Sequence, residues 1–381
     1  MTTSPILPDY IARLRDFIRR SAPDAPDAGG LSPEEVEKVF NSLALELFAL
    51  QFAYNQRYRR FCDSQRVSPQ TTPHWTQIPA LPVVAFREME LTSLPAAKRT
   101  TIFLSSGTTG QKRSQHFHDA ESLVVYESSL LPWFKRHVLT NGSRLHMLVL
   151  TPPPALAPNS SLVHMFETVR RELGSADSLF VGNTEADGSW RLEIKRAMLF
   201  LNEATETKWP VALFGTAFNF VHLLDFLARG NMTLRLPEGS RVLETGGYKG
   251  CSRFMPKAEL HALITRHLGI PDTHVVAEYG MSELSSQAYD AKVPTAKCQV
   301  PGAGRVFRFP PWAQVQIVSP ETGGQVDEGE SGLIRVFDLA NVRSVMAIQT
   351  DDLGIRDGNG FQLIGRAERA EPRGCSLMSR T

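Results

Sequence analysis

The residues best equipped for chemistry stand together at 104–118, Leu-Ser-Ser-Gly-Thr-Thr-Gly-Gln-Lys-Arg-Ser-Gln-His-Phe-His. Ser105, Ser106, Thr108 and Thr109 alternate with Gly107 and Gly110, and Lys112 and Arg113 follow at once. Glycine lets the backbone turn sharply and bring its N–H groups close to an anion. Serine and threonine hydroxyls rotate to suit phosphate oxygens, and the two cations add charge-assisted contacts. Such a loop is suited to cradling a polyphosphate. It is not a Walker A loop, because Gly107 and Gly110 are three apart and Gln111 precedes the lysine. It also lacks the three-glycine dinucleotide fingerprint.

In its wording, Ser-Ser-Gly-Thr-Thr-Gly resembles the phosphate loop of the adenylate-forming enzymes, the superfamily of acyl- and aryl-CoA synthetases and luciferases. The continuation Ser114-Gln115-His116 looks most like the LuxE-type acyl-protein synthetases, which activate fatty acids for bacterial bioluminescence. Further segments match in order. Phe214-Gly215-Thr216 lies at a strand end, where the resemblance implies the start of the acyl-substrate pocket; read alone it is a strand and a turn. In Glu244-Thr245-Gly246-Gly247-Tyr248-Lys249, glycines at a strand's carboxyl end let a flat ring lie on the backbone. The resemblance places Gly246 and Gly247 along adenine, where Lys249 could reach a carboxylate or a phosphate; the plain alternative is a solvated loop lysine.

Tyr279-Gly280-Met281-Ser282-Glu283 resembles the superfamily's Tyr-Gly-x-Thr/Ser-Glu motif. That resemblance puts Tyr279 and Gly280 against adenine, Ser282 near the α-phosphate and Glu283 on Mg²⁺, a hard cation that takes carboxylate oxygen. The same string lacks the glycine that a hydrolase nucleophile elbow needs. Thr350-Asp351-Asp352-Leu353-Gly354 resembles the ribose-binding motif, with Asp352 as its aspartate; by composition the Asp pair reads as a turn. Gly365-Arg366-Ala367-Glu368 is similar to the hinge motif that follows.

The chain departs from most adenylating enzymes at Thr381, shortly after that hinge, so the expectation is that the mobile C-terminal lobe and its catalytic lysine are absent, as in LuxE-type proteins. Lys112, Arg113 and Lys249 are then the candidate cations for the developing negative charge. His116 either faces the acyl carboxylate or phosphate, or is a structural histidine. The string Arg373-Gly374-Cys375-Ser376-Leu377 looks like the segment in which LuxE-type synthetases carry the acyl group on cysteine; an inert tail thiol is the plain alternative. Cys251 and Cys298 could join His261 or His267 on zinc, but their spacing is not diagnostic.

These residues need a scaffold. With 381 residues the chain can bury a large core and is long for one domain. It is 42% apolar and 21% charged, with 41 Lys+Arg against 40 Asp+Glu, so no global field recruits nucleic acid or an anionic membrane. No apolar stretch reaches bilayer length, the N-terminus lacks a signal-peptide pattern, and four scattered cysteines form no disulfide framework. A cytoplasmic protein without membrane insertion is expected. Ser32-Pro33-Glu34-Glu35 predicts a capped helix running to about Cys62, itself a chemically inert helix-end thiol. Residues 68–82, rich in proline, predict an extended connector. Strand 100–104, helix 121–138, strand 144–150, helices 163–173 and 192–206, strand 211–214, helix 218–228, strand 242–245, helix 257–268 and strand 275–278 alternate as an α/β sheet with covered faces. Short strands at 315–318, 332–337, 346–349 and 361–363 predict a smaller β-rich lobe. The expected organisation is a helical segment at 1–95, an α/β nucleotide- and acyl-binding core at 96–300, and the small lobe with a hinge-like tail at 301–381.

The resemblance implies an enzyme that uses ATP and Mg²⁺ to convert a carboxylic acid, in this family a fatty acid, into acyl-AMP. The acyl group then passes through Cys375 to an acceptor, whether a reductase, a carrier protein or CoA. Two rival readings stand beside it: a phenylacetate-type ligase that uses CoA directly, and a non-catalytic nucleotide-binding subunit.

Overall fold

A computed structural model of the protein describes residues 7–22, 30–106, 112–139, 145–246, 255–292 and 304–367. Its centre is four parallel strands, His146–Val149, Val211–Thr216, Arg241–Thr245 and Val275–Tyr279, each hydrogen-bonded to the next. They read as unbroken apolar runs because both faces are covered. Leu148, Leu213 and Val242 face a cluster with Phe200, Phe220, Leu224 and Ile264 from the helices Ile194–Thr207, Ala217–Arg229 and Lys257–Leu268. Met147, Ala212, Phe214 and Leu243 face the other way, toward Phe134 and Phe166 on the helices Ala120–Val138 and Ser161–Leu173. This alternation of side chains is what a strand between two helical layers requires.

Beyond Tyr279 the sheet turns antiparallel. Ala288–Lys292, Arg305–Arg308, Gly360–Arg366, Ala347–Asp357, Ser331–Asp338 and Ala313–Val318 follow in that spatial order and continue the same ladder, which has 12 strands among the described residues, with Leu179–Phe180 at the far parallel edge beside His146–Val149. Leu81–Pro82 adds to it in parallel with Ile348 and Gln349, and Trp75 packs edge-on to Phe40 and Phe337 at 5.3 and 4.8 Å, so the proline-rich connector is tied to the core. The amphipathic helix Leu7–Ser21 buries Tyr10, Leu14 and Phe17 in this core. Among the described residues no helix is long and apolar enough to cross a membrane.

Thr101–Leu104, expected in the main sheet, pairs instead with Gln115–His118 in a separate two-stranded sheet, and the strands Ala288–Lys292 and Arg305–Arg308 were not expected from the sequence. Two further elements differ from the sequence-based expectation. The helix begun by the Ser32 capping box ends at Tyr54, and a second spans Gln56–Ser64. Asn55 is extended (φ −106°, ψ 91°): its N–H closes the first helix on Gln51, and its side chain caps the second through the Tyr58 N–H. A short amide that bonds the backbone locally outcompetes helix continuation here. Asp351 and Asp352 do not make a turn; they lie inside the strand Ala347–Asp357, whose register shifts between Leu353 and Gly354. Ladder partners on both sides, Ser331–Asp338 and Gly360–Arg366, override the weak strand propensity of aspartate.

Candidate active site

The phosphate-loop sequence is the connection of a hairpin. Thr101–Leu104 pairs antiparallel with Gln115–His118, and the neck is closed by Ser105 N–H to the Ser114 carbonyl (3.1 Å) and Ser114 N–H to Ser105 Oγ (2.9 Å). Ser106 is exposed, whereas the Ser114 hydroxyl is buried with no hydrogen-bond partner. Gly107, Thr108, Thr109 and Gly110 lie outside the described residues. Lys112 and Arg113 are exposed beside the loop, with the Lys112 ammonium 3.8 Å from Glu88.

The returning strand carries His116 into the interior. Its Nδ1 lies 2.9 Å from the Ser282 carbonyl, which only accepts, so Nδ1 bears the proton. Burial pulls its pKa down to about 4 against the opposing effect of that bond, and its ring lies 4.2 Å from that of His118. At neutral pH His116 is an uncharged imidazole that grips the Ser282 segment and supplies no positive charge.

Two parallel strand ends form the next wall. Glu278 pairs in register with Thr245, whose hydroxyl donates to the Glu278 carboxylate. Burial pushes the Glu278 carboxyl up to about 7; the Thr245 bond opposes this and Glu244 reinforces it. Burial acts the same way on Glu244, but Lys257 at 3.1 Å and His261 at 3.2 Å outweigh it and leave its pKa below the usual value. Gly246 leaves its strand at φ +72° with open space where a Cβ would be, a conformation that favours glycine. Gly280 has a different reason: a Cβ there would overlap the Glu278 carboxylate. Gly247 and Lys249 lie outside the described residues.

Tyr279 donates its hydroxyl to Asp352 Oδ2 at 2.9 Å, and Arg366 Nε reaches Asp352 Oδ1 at 3.1 Å from the paired position on the next strand. The Tyr279 ring stands edge-on to Phe361 at 5.2 Å and to Phe307 and Phe309 at 6.2 Å. A carboxylate has about four acceptor sites, so Asp352 keeps capacity for two more donors. Glu283 is buried, and its carbonyl accepts from Asn341 Nδ2 at 2.9 Å. Thus Ser105, Ser114 and His116 connect through Ser282 to Tyr279 and Glu283, and through Tyr279 to Asp352 and Arg366.

Phe214, Gly215 and Thr216 have structural tasks. Phe214 is fully buried between Phe134 (5.5 Å, edge-on) and Phe166 (5.6 Å, stacked). A Cβ on Gly215 would meet Leu150 at 3.0 Å, and Thr216 caps the following helix by accepting from the Asn219 N–H at 3.1 Å. Of the zinc candidates, His261 is engaged with Glu244 and Asp272, and His267 Nδ1 with the Met232 carbonyl at 3.0 Å; Cys251 and Cys298 lie outside the described residues. Among the described residues no three His, Cys, Asp or Glu gather as a metal site. Cys375 also lies outside them. Cys62 is buried, and burial pushes its thiol up to about 12.

The family model for acyl-protein synthetase, LuxE, matches residues 14–380. The chain belongs to this family. A relative from Aliivibrio fischeri, named long-chain-fatty-acid–luciferin-component ligase, is 22% identical to this LuxE-family chain over 366 residues, covering 90% of the chain and 88% of the relative. Its fold is that of adenylate-forming acyl-CoA ligases. A 2-hydroxyisobutyryl-CoA ligase with 2-HIB-AMP and CoA in the thioesterification state superposes at a TM-score of 0.64, with 13% identity, over 89% of this chain and 70% of that one. An open conformation of the same ligase gives 0.62 with 12% identity, over 90% and 78%.

In this LuxE-family chain, sequence reasoning missed Thr245 as the partner of Glu278, and Asp338 and Asn341 altogether. The signal for Glu278 was present: a charged residue inside the apolar strand Val275–Tyr279 demands a buried partner.

Proposed function

We propose that this LuxE-family protein activates a long-chain fatty acid with Mg·ATP and carries the acyl group on Cys375. A carboxylate oxygen attacks the α-phosphorus, the bond to the β-phosphate oxygen breaks, and pyrophosphate leaves acyl-AMP. The Cys375 thiolate then attacks the acyl carbonyl, expels AMP and forms a thioester, which an acceptor thiol or a reductase discharges. Family membership and the ligase fold support the coarse reaction, ATP-dependent acid activation. The name of the bioluminescence relative supports a fatty acid.

The observation that carries this reading is the linked set His116–Ser282 and Tyr279–Asp352–Arg366. In it, Asp352 takes both ribose hydroxyls on its spare acceptor sites, Tyr279 and the glycines Gly246 and Gly247 flank adenine, and residues 105–110 hold the β- and γ-phosphates. The oxygen donors present fit Mg²⁺, which binds one or two carboxylates together with substrate phosphates rather than a full protein cage. Glu283 would hold it, with Ser282 on the α-phosphate, and the ion would supply charge neutralisation there. Lys112, Arg113 and Lys249 are the cations that offset charge at the phosphorus. Lys112 is free to turn, since an exposed pair such as that with Glu88 contributes little.

A second reading, direct use of CoA with Cys375 a bystander, is favoured by the CoA-bound ligase of the same fold. ATP–pyrophosphate exchange with a panel of carboxylic acids, followed by intact-mass analysis, tests both. Exchange with long-chain acids and an acyl adduct lost in Cys375→Ser is the expected result. Exchange with no acid overturns the function, and full acyl product from Cys375→Ser overturns the thioester.

A further inference from the structure

Between the strands Val275–Tyr279 and Ala288–Lys292 the segment bearing Ser282 and Glu283 has no helix or strand of its own. It is nevertheless fastened at successive residues. His116 holds the Ser282 carbonyl. The Asn341 carboxamide donates to the Glu283 carbonyl at 2.9 Å and to the Val345 carbonyl at 3.0 Å. Asp338 Oδ2 accepts the Ser285 and Ser286 N–H groups, each at 2.8 Å. Its Oδ1 accepts the Ser286 hydroxyl at 2.7 Å and the Ala340 N–H at 2.9 Å.

The network continues inward with its direction fixed. Trp312 Nε1 can only donate, and it does so to Ser129 Oγ at 2.7 Å. The Ser286 hydroxyl spends its one proton on Asp338, so at 2.9 Å it must accept from Ser129. The chain therefore runs Trp312 to Ser129 to Ser286 to the Asp338 carboxylate, and all four are buried. Chains of this kind polarise one another and specify one arrangement.

We propose that Asp338 and Asn341 are positioning residues that fix the backbone from Glu283 to Ser286, and so hold the Glu283 carboxylate at the metal. The inference rests on the reading that Glu283 faces Mg·ATP. The turn closes on its own backbone through Leu284 N–H to the Met281 carbonyl at 3.1 Å, which already suffices for compactness. In addition, the Glu283 carbonyl is taken by a side chain 58 positions away. Residues that orient a ligand-bearing segment typically change metal affinity 10- to 100-fold when removed.

The test is calorimetric ATP affinity with Mg²⁺ and with EDTA for wild type, Asn341→Ala and Ser286→Ala, alongside thermal unfolding. The ratio of the two affinities isolates what Mg²⁺ adds. For Asn341→Ala that ratio is expected to fall about 10-fold, with Mg²⁺-free affinity preserved. For Ser286→Ala, which keeps both N–H contacts to Asp338, a smaller fall in the same direction is expected. An unchanged ratio in a folded Asn341→Ala, or equal losses with and without Mg²⁺, overturns the proposal. If Asn341→Ala does not fold, an unchanged ratio in Ser286→Ala overturns it. A wild type that binds no ATP removes the proposed function, and this inference with it; a wild type that binds ATP while the variants keep its ratio removes this inference alone.

Discussion

Replacing Asp352 with asparagine separates nucleotide binding from folding. In the free protein the carboxylate takes the Tyr279 hydroxyl on one oxygen and Arg366 Nε on the other. Asparagine keeps an acceptor for Tyr279. The Arg366 side chain is half exposed, so losing its charge partner costs about 1 kcal/mol or less. With ATP bound, the two remaining acceptor sites would receive the ribose hydroxyls. A hydrogen bond to a charged group contributes roughly 1.5–3 kcal/mol against roughly 0.5–1.5 for a neutral one. The amide oxygen has two acceptor sites and Tyr279 keeps one, so one ribose bond becomes neutral and the other loses its acceptor, a loss of about 2 kcal/mol, or roughly 30-fold in affinity. Titration calorimetry gives the ATP dissociation constant, and urea unfolding gives the stability. An affinity within about threefold of wild type would refute the ribose assignment, because the expected loss is about 30-fold. A stability loss with ATP affinity unchanged would show Asp352 to be a structural acceptor for Tyr279 and nothing more.

Two further outcomes follow from buried groups. Glu278, with its carboxyl raised from 4.5 to about 7, binds its proton more tightly folded than unfolded, so its contribution is complete below about pH 4.5 and is lost as pH rises through 7. Glu278→Gln should therefore gain stability relative to wild type between pH 5 and pH 8, on the order of 3 kcal/mol; urea midpoints that shift equally at both pH values would contradict this. Cys62, buried and pushed up to about 12, should resist iodoacetamide at pH 8 in the native protein and react after unfolding, as read by peptide mass mapping; fast native labelling there would remove the case for its inertness.

Much of the parallel core was legible in the sequence, because strands covered on both faces are unbroken apolar runs and the helices between them carry one-sided stripes. The helix Lys257–Leu268 and the capping box at Ser32 were readable to the residue, since their signals are local. The break at Asn55 and the strand through Asp351 and Asp352 were not. In each, one side chain or a pair of ladder partners overrode the local average. The same distinction holds in the site. The hydroxyl–glycine loop and the Tyr279–Glu283 motif announce themselves in consecutive residues. The grip of His116 on Ser282 spans 166 positions, and the ties of Asp338 to Ser285 and Ser286 span 53 and 52. Spacing along the chain carries no trace of such pairings.

The site thus divides by how its members are held. Tyr279, Asp352 and Arg366 stand on or at the ends of hydrogen-bonded strands, where backbone ladders fix their separation whether or not a ligand is present. Ser282 and Glu283 stand on a connection and depend on side-chain anchors, His116, Asp338 and Asn341, buried in the surrounding core. A nucleoside requires the first kind of placement, because its ring and ribose are rigid and recognised by fixed edges. In the proposed reaction the α-phosphate would require the second, because the geometry at phosphorus changes as the bond from the carboxylate oxygen to phosphorus forms and pyrophosphate departs. Anchoring that segment by a buried polar chain rather than by a ladder confines its movement without making it part of the sheet. Substitutions in the strand residues should therefore act on ATP affinity as a whole, and substitutions in the anchors on the Mg²⁺-dependent part of it.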